Sequence, residues 1–149
     1  MDKPLDQQGR PVRKAKGVRA ELAVAVELLN HGFSASWPFG DIDGYDLIAD
    51  SGGRLTRLQV KSAYHPSERG TYKISFRKGK RHSHTYSTTD CDYIVAVLWY
   101  PDTTAYYVIP VDKATSSGTF FQPNKHPRHP ERWKTCALEE YRSRWDLLR

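Results

Sequence analysis

Apolar residues recur at helical spacing near the start of the chain, and this pattern predicts the first helix. It runs from Lys16 to His31, after which Gly32 supplies the left-handed residue that commonly ends a helix. The stripe expected to face the core consists of Val18, Leu22, Ala25, Val26 and Leu29. A second stripe at helical spacing predicts a closing helix and consists of Ala137, Leu138, Tyr141, Trp145 and Leu148.

Between these segments the pattern changes to that of β-strands. Alternating or continuous apolar runs lie at 33–37, 45–49, 55–62, 72–76, 93–99 and 106–111. The second and third runs flank Asp50-Ser51-Gly52-Gly53, a strong turn signal, and therefore predict a β-hairpin. The order of helix, strands and helix predicts an α/β fold with a mixed central β-sheet flanked by helices, the first helix covering one face.

Length and charge narrow the class of protein. A chain of 149 residues, of which 38% are hydrophobic, is long enough for one domain with its own core and too apolar for disorder. We expect a flexible basic arm at residues 1–15 and a single domain at residues 16–149. The net charge of +6 and the pI near 9.4 predict a polyanionic partner.

The sequence also predicts where the protein works. No apolar run is long enough to cross a bilayer, and the first residues, MDKPLDQQGR, lack the apolar stretch of a signal peptide. Two cysteines, Cys91 and Cys136, do not make a disulfide framework, which favours a reducing compartment. We therefore expect a cytoplasmic protein without membrane association, bound at the nucleoid when it acts.

The predicted hairpin brings a carboxylate beside a lysine. If Ser51-Gly52-Gly53 closes the turn, residues pair at index sums near 104 or 105, and Asp46 lies opposite Leu58 or Gln59. Side chains alternate along a strand, so Gln59 and Lys61 share one face while the apolar residues at 58 and 60 turn into the core. Acid, amide and lysine are thus expected at one sheet edge.

Such a group suits metal-assisted hydrolysis of a phosphodiester. Mg²⁺ prefers oxygen ligands and needs only one or two carboxylates beside the phosphate, and a neighbouring lysine adds positive charge and orients water. Glu21 lies at the edge of the first helix, where it can face the same strands. Each residue also has an ordinary structural alternative: an exposed turn acid for Asp46, an edge lysine for Lys61 and a solvated helix residue for Glu21.

Three motifs resemble the PD-(D/E)XK nuclease superfamily: GVRAEL at 17–22, YDLIAD at 45–50 and LQVKSA at 58–63. More narrowly, they resemble the branch encoded within group I introns, the homing endonucleases in which glutamine occupies the second acidic position. The context WPFGDIDGYDLIADSGGRLTRLQVKSA, DYIVAVL with YYVIPV, and YRSRWDLL fits that branch. The resemblance covers about residues 16–148 and implies a restriction-endonuclease-like core.

The resemblance implies a role for each residue of the hairpin. Asp46 would be the principal metal ligand and Lys61 the catalytic lysine. Gln59 would offer a neutral amide oxygen at the second acidic position, the Val60 carbonyl would be a further ligand, and Glu21 would complete the site. The implied ion is Mg²⁺, with Mn²⁺ tolerated, and no small-molecule cofactor is expected. Tyr45 in place of the motif's proline is a departure from the pattern, and the missing charge at 59 should weaken metal binding without DNA.

The implied function is site-specific cleavage of double-stranded DNA, of the intron-homing kind. One site cuts one strand, so a homodimer or homotetramer is expected. The basic segment RKGKRHSH at 77–84 is predicted to be a loop that contacts the DNA backbone, unless it only solubilises the protein. The contacts expected there are Arg77, Lys78, Lys80, Arg81 and His82.

Two other functions remain open at this point. A Holliday junction resolvase shares the fold and chemistry, with a helical glutamate before the acid and the lysine motif. A catalytically inactive DNA-binding module is the second alternative, in which Gln59 marks a decayed site. Structural zinc is not favoured, because the histidines and cysteines of the second half lack the tight paired spacing of zinc ligands.

Overall fold

The chain's structure, a computed structural model, describes residues 13–40, 44–64, 66–67 and 70–149. Its helix and strands follow in the order α1 (Arg13–Asn30), β1 (Ser34–Ser36), β2 (Leu47–Ser51), β3 (Arg54–Ala63), β4 (Thr71–Ser75), β5 (Arg77–Lys78), β6 (His84–Thr85), β7 (Tyr93–Trp99), β8 (Thr104–Pro110) and β9 (Ser117–Phe121). Short 3₁₀ turns lie at Lys80–His82, Val111–Lys113, Pro130–Thr135, Glu139–Tyr141 and Trp145–Leu148. The predicted arm lies, for residues 1–12, outside the described residues.

A five-stranded sheet forms the centre of the fold, in the spatial order β1-β2-β3-β7-β8. β3 and β7 run parallel, whereas the other neighbouring strands run antiparallel. This arrangement confirms the predicted α/β fold with a mixed central sheet, and the β2–β3 hairpin confirms the turn signal. In the part of the chain that the structure describes, no helix is long and apolar enough to cross a membrane.

α1 covers one face of this sheet, but through a different stripe from the predicted one. Its buried side chains Ala20, Val24 and Leu28 share a cluster with apolar side chains of β3 and β7. Of the predicted stripe, Ala25 is buried, but four side chains are exposed, namely Val18 (44%), Leu22 (53%), Val26 (55%) and Leu29 (62%). The helix is apolar on two adjacent stripes, and the small side chain of Ala20 lets the second of these approach the sheet closely.

Strands rather than a second helix cover the opposite face. β4 and β9 pair antiparallel as a separate two-stranded sheet. From them and the chain beside them, Tyr72, Phe76 and Phe120 pack in one cluster with Ile94 and Tyr107 of the central sheet. β9 was not among the predicted strands, because its sequence SGTFF is short and opens on two small residues. β5 and β6 also pair, so the basic segment forms a small hairpin instead of the predicted loop.

The predicted C-terminal helix is wrong. Extended backbone at Arg142 forms a bridge with Tyr107 of β8, and Ser143 has a φ of 51°, which no continuing helix adopts. Only short 3₁₀ turns remain on either side. Trp145 and Leu148 are nevertheless buried in the cluster under α1. Pairing with the edge of β8 therefore overrides the helical spacing of the apolar residues.

We predict that Gly118→Ala destabilises the protein. A Cβ at Gly118 would lie 2.7 Å from Cε2 of Phe120 and 2.9 Å from Cζ of Phe76, and both side chains are buried with little room to move. Overpacking of this kind costs about 1–3 kcal/mol of the free energy of unfolding. Urea unfolding measures the change.

Gly17→Ala is the matched control, since Gly17 lies within α1 and a Cβ there would meet nothing within 4 Å. Alanine is favoured over glycine inside a helix, so this variant should gain about 0.5–1 kcal/mol. An unchanged unfolding midpoint for Gly118→Ala would contradict the packing described for β4 and β9.

Candidate active site

The β2–β3 hairpin places Asp46 against β3. Leu47 pairs with Leu58, which fixes the register of the two strands. The backbone N–H of Asp46 donates to the carbonyl of Leu58 at 2.8 Å and extends the ladder by one residue. Asp46 therefore lies opposite Gln59, one of the two partners that the turn predicts.

Two groups of β3 donate to the carboxylate of Asp46. The N–H of Val60 donates to Oδ2 at 2.8 Å, and Nε2 of Gln59 donates to the same oxygen at 2.5 Å. The same nitrogen of Gln59 donates to the carbonyl of Val60 at 3.3 Å. Gln59 is only 8% exposed. Its side chain is thus a buried neutral donor to a carboxylate, at the second acidic position of the motif that the sequence resembles.

The carboxyl of Asp46 has an unusual electrostatic environment. Burial raises its pKa above the ordinary value, because the ionised form loses hydration. The N–H of Val60, the charge of Lys61 and the amide of Gln59 lower the pKa, in that order, since each stabilises the carboxylate. Burial outweighs the three together. The ionised form of Asp46 is therefore only partly compensated by the protein.

Glu21 reaches the same place from α1. Burial raises the pKa of Glu21, and the negative charge of Asp46 raises it further, while a hydrogen bond from the side chain of Trp37 lowers it. Because the charge of Asp46 acts on Glu21, the two carboxylates belong to one site. Such a pair carries excess negative charge that a bound cation would relieve.

Lys61 lies on β3, close enough to Asp46 for its charge to lower the pKa of that carboxyl. Its Nζ is 5.0 Å from the centre of the Tyr86 ring, and Nζ of Lys78 is 5.7 Å from the same ring. Tyr86 is only 9% exposed, so its ring is a fixed surface. Lys78 also forms an ion pair with Asp90. The electron-rich face of Tyr86 therefore helps to hold two ammonium groups near each other.

These cations surround an open pocket. The pocket has a volume of about 480 Å³ and is lined by Gly44, Lys61, Arg77, Lys78, Gly79, His82 and Tyr86. We call it the basic pocket. It brings three of the predicted DNA contacts, Arg77, Lys78 and His82, next to the predicted catalytic lysine. Arg81 is exposed on the same hairpin, and the side chain of Lys80 is outside what the structure describes.

A loop between β6 and β7 anchors the basic pocket to β3. The guanidinium of Arg57 donates to Asp92 at 2.9 Å and to the carbonyl oxygens of Thr88 and Thr89 at 2.8 Å and 3.1 Å. Within this loop Asp90 accepts from the N–H of Ser87 at 2.9 Å. The network fixes the loop that carries Asp90 and therefore the position of its ion pair with Lys78.

Gly44 joins this loop to the acidic side of the site. Its φ is 111°, a region that disfavours other residues, and a Cβ there would lie 3.1 Å from backbone and side-chain atoms of Asp90. The chain can pass this close to Asp90 only with glycine. Asp46 follows two residues after Gly44. The close approach of Gly44 to Asp90 therefore helps to fix the position of Asp46.

Sequence reasoning identified the acids, the amide and the lysine but missed their supports. Tyr86, Asp90, Trp37 and Gly44 were not proposed as site residues. Tyr86 and Asp90 follow the basic segment closely, but no short-range signal connects them with Lys61. Their relation to the site arises from the pairing of distant strands, which spacing along the chain does not reveal.

The oxygen donors at the site fit a hard cation. They are the carboxylates of Asp46 and Glu21, the carbonyl of Val60 and, after rotation of its amide, the oxygen of Gln59. The described residues contain no group of three or more His, Cys, Asp or Glu side chains that could hold a metal ion. Oxygen atoms of this kind are the ligands that hard divalent cations accept, with water filling the remaining positions.

A mixed sheet covered by one helix, with this acidic and basic edge on its β2–β3 hairpin, is the architecture of restriction-endonuclease-like nucleases. The family model of the PD-(D/E)XK endonucleases matches residues 12–142, and the chain belongs to that family. The predicted resemblance is thereby confirmed. A search of curated proteins found no match.

Two solved structures are similar to this chain. The structure of the bacterial homing endonuclease I-Ssp6803I aligns with a TM-score of 0.70 and 28% identity, over 92% of this chain and 91% of that chain. Hjc, a Holliday junction resolvase of the archaeon Archaeoglobus fulgidus, aligns with a TM-score of 0.42 and 21% identity, over 68% of this chain and 82% of that chain. The predicted similarity to homing endonucleases is therefore confirmed at the level of the whole fold.

We predict that Asp46→Asn stabilises the fold at neutral pH. Because the folded-state pKa of Asp46 is raised, the folded protein binds this proton more tightly than the unfolded chain does. Stability therefore rises as pH falls through the folded pKa towards the ordinary value of 3.8, and above this window the ionised group is a net cost. The amide of the variant removes that cost and still offers an oxygen to the N–H of Val60.

Urea unfolding at about pH 7 and about pH 4 measures the effect of this substitution. The advantage of the variant should be larger at the higher pH. Asp112→Asn is the control, since that carboxylate is 65% exposed. A variant that is less stable than the parent at neutral pH would contradict the uncompensated burial of Asp46.

Proposed function

We propose that the chain is a Mg²⁺-dependent endonuclease that cuts duplex DNA at specific sites and acts in intron homing. One observation carries the proposal: Asp46, Gln59 and Lys61 lie together on the β2–β3 hairpin, and Glu21 is coupled to Asp46 from α1. Family membership and the similarity to a bacterial homing endonuclease over 92% of the chain support it.

Each side chain then has a distinct task. Asp46 and Glu21 would hold the metal ion, with the carbonyl of Val60 and the amide oxygen of Gln59 as further ligands. The ion supplies Lewis acidity that withdraws charge from the phosphate and favours ionisation of water. Lys61 adds a positive charge beside the phosphate and orients the attacking water. Mn²⁺ accepts similar oxygen ligands and is expected to substitute.

The basic pocket gives the DNA backbone a place next to the cutting site. Arg77, Lys78 and His82 line it, and a phosphate there would lie beside Lys61. Contacts to phosphates fix the position of a duplex without reading its sequence. Arg81 extends the positive charge along the same hairpin, and Lys80 is a further proposed contact. The arm of residues 1–15 adds further backbone contacts, and residues 16–149 form the single nuclease domain.

Double-strand cleavage requires more than one copy of this site. A single set of Asp46 and Lys61 cuts one strand at a time, so two copies must face the two strands. A closed symmetric dimer, or a tetramer built from two dimers, is the simplest assembly. Light scattering of the protein with and without a duplex would count the copies.

We predict that Lys61→Ala abolishes cleavage but leaves DNA binding largely intact. Loss of the positive charge beside the phosphate should reduce the cleavage rate by about 100-fold or more. The assay measures Mg²⁺-dependent cutting of supercoiled plasmid, linear duplex and a four-way junction, with binding followed by gel shift. Lys73→Ala is the matched control, because Lys73 is an exposed lysine of β4. Unfolding curves of both variants confirm that they are folded.

The three substrates separate the candidate functions. Lys61-dependent cutting of duplex with the junction left intact supports the site-specific endonuclease. Symmetric cutting of the junction in preference to duplex would replace the proposal by a junction resolvase. DNA binding without any metal-dependent cutting, on a plasmid library that carries many sequences, would indicate the inactive binding module.

We predict that Arg77→Gln weakens DNA binding in a salt-dependent way. Arg77 lines the basic pocket, and each lost phosphate contact lowers the slope of log affinity against log salt by about 1. The control is Arg144→Gln, whose guanidinium is already engaged with the carboxylate of Asp146 at 2.8 Å and 2.9 Å. Equal salt slopes for Arg77→Gln and the parent protein would remove the basic pocket from the DNA path.

A further inference from the structure

A fully exposed aromatic side chain lies beside the candidate active site, and none of the proposed roles uses it. Phe39 has a relative exposure of 104%, the largest among the exposed apolar side chains of the described residues. Trp37, two residues earlier, is 47% exposed. Both lie in the connection between β1 and β2, which leads directly to Asp46.

This connection is tied to the acidic side of the site. Ser36 of β1 pairs with Ile48 of β2, so the chain at Trp37 runs beside Leu47, the neighbour of Asp46. The side chain of Trp37 also lowers the pKa of Glu21, which agrees with this placement. Phe39 projects from the same short segment, so its ring is close in the chain to the groups that would meet the cut phosphate.

A proline precedes the ring. Pro38 fixes its own φ and restricts Trp37 to extended backbone. After Phe39 the chain turns at Gly40, which has a φ of 94°. The proline reduces the freedom of the chain that leads to the ring and so lowers the entropy cost of binding.

Single exposed apolar residues are common on protein surfaces and need no ligand. Leu55, for example, is 64% exposed on β3 and has no relation to the site. Phe39 differs in three respects: its exposure is complete, a proline precedes it, and its segment runs beside the chain next to Asp46. DNA is the partner that the proposed function places beside the cut phosphate, and its bases stack on aromatic rings.

We propose that Phe39 inserts into the base stack of DNA beside the phosphate that is cut. Apolar wedges of this kind unstack neighbouring base pairs and kink the duplex. Stacking on an aromatic ring is tolerant of sequence, because every base has a π-face. The ring thus changes the shape of the duplex and positions the strand that is cut. Specificity for a site comes from other contacts. This inference rests on the proposed function, since it requires DNA at the site.

Insertion unwinds DNA, and unwinding can be measured without knowledge of the target site. A nicked plasmid is closed by DNA ligase in the presence of protein, and the linking number of the product is read on a gel. Lys61→Ala serves as the background, so that the plasmid is not cut. We expect the Lys61→Ala protein to lower the linking number in proportion to the amount of protein bound. Adding Phe39→Ala to this protein should remove most of that shift.

Leu55→Ala in the same background is the matched control and should keep the full shift. Equal DNA occupancy of all three proteins is set by gel shift. Bound protein that leaves the linking number unchanged, or an equal shift with and without Phe39, would overturn the inference while leaving the nuclease proposal standing. If the parent protein does not bind DNA, the nuclease proposal itself is contradicted.

A second measurement uses rescue by the substrate. Phe39→Ala should slow the cutting of a duplex by about tenfold, the effect expected when one stacking contact is lost. Cutting of a plasmid library by the parent protein identifies a sequence that is cleaved. Duplexes of that sequence are then prepared with and without an unpaired base beside the cleavage position. An unpaired base needs less free energy to leave the stack than a paired base does. It should therefore restore most of the cutting rate that Phe39→Ala loses.

Equal slowing on both substrates would contradict the wedge. A change of oligomeric state in Phe39→Ala, measured by light scattering, would also contradict the wedge if it accounts for the loss of cutting. Phe39 would then contact a second copy of the chain. A normal cutting rate for Phe39→Ala on the paired duplex would also overturn the inference.

Discussion

The carboxylate of Asp46 is held by β3, and the rest of the site depends on that contact. Its Oδ2 accepts from the backbone of Val60 at 2.8 Å and from the side chain of Gln59 at 2.5 Å. A backbone donor cannot be moved by side-chain rotation, so the register of the β2–β3 hairpin alone decides where the acid lies. A slip of one residue would turn Gln59 and Lys61 to the opposite face and separate them from the acid.

The site has an acidic half and a basic half, and different parts of the fold supply them. Asp46 and Glu21 come from the hairpin and α1, whereas the cations that surround Tyr86 come from β3 and the small β5–β6 hairpin. Gly44 connects the halves, because its close approach to Asp90 brings the loop behind Lys78 against the chain that leads to Asp46. A phosphate between the halves would meet positive charge on one side and the carboxylates proposed to hold a metal ion on the other. That polarity suits a reaction in which charge builds up on phosphate oxygens.

Local signals predicted the parts of this site that are local. Asp50-Ser51-Gly52-Gly53 predicted the turn, and the turn limited the partner of Asp46 to Leu58 or Gln59. The register of the strands selects Gln59. The stripe of α1 was misassigned because Ala20, Val24 and Leu28 form a second apolar stripe, and only contact with the sheet selects one of them. The prediction of a C-terminal helix was wrong for a similar reason. Arg142 pairs in an extended conformation with Tyr107, which lies far away in the sequence on β8, and this pairing competes with a helix.

Gln59 has a physical reason to be a neutral residue here. Its amide lies within hydrogen-bond distance of Asp46, a carboxylate whose pKa burial already raises, and Glu21 adds a second negative charge nearby. A third carboxylate at this distance could not ionise together with Asp46 without a cation between them. The glutamine instead donates to Asp46 and lowers its pKa. It therefore helps to keep Asp46 ionised while the site is empty, and leaves less negative charge to attract a metal before DNA arrives. A glutamine at this position is thus consistent with an active site that assembles on its substrate, and is not by itself a sign of decay.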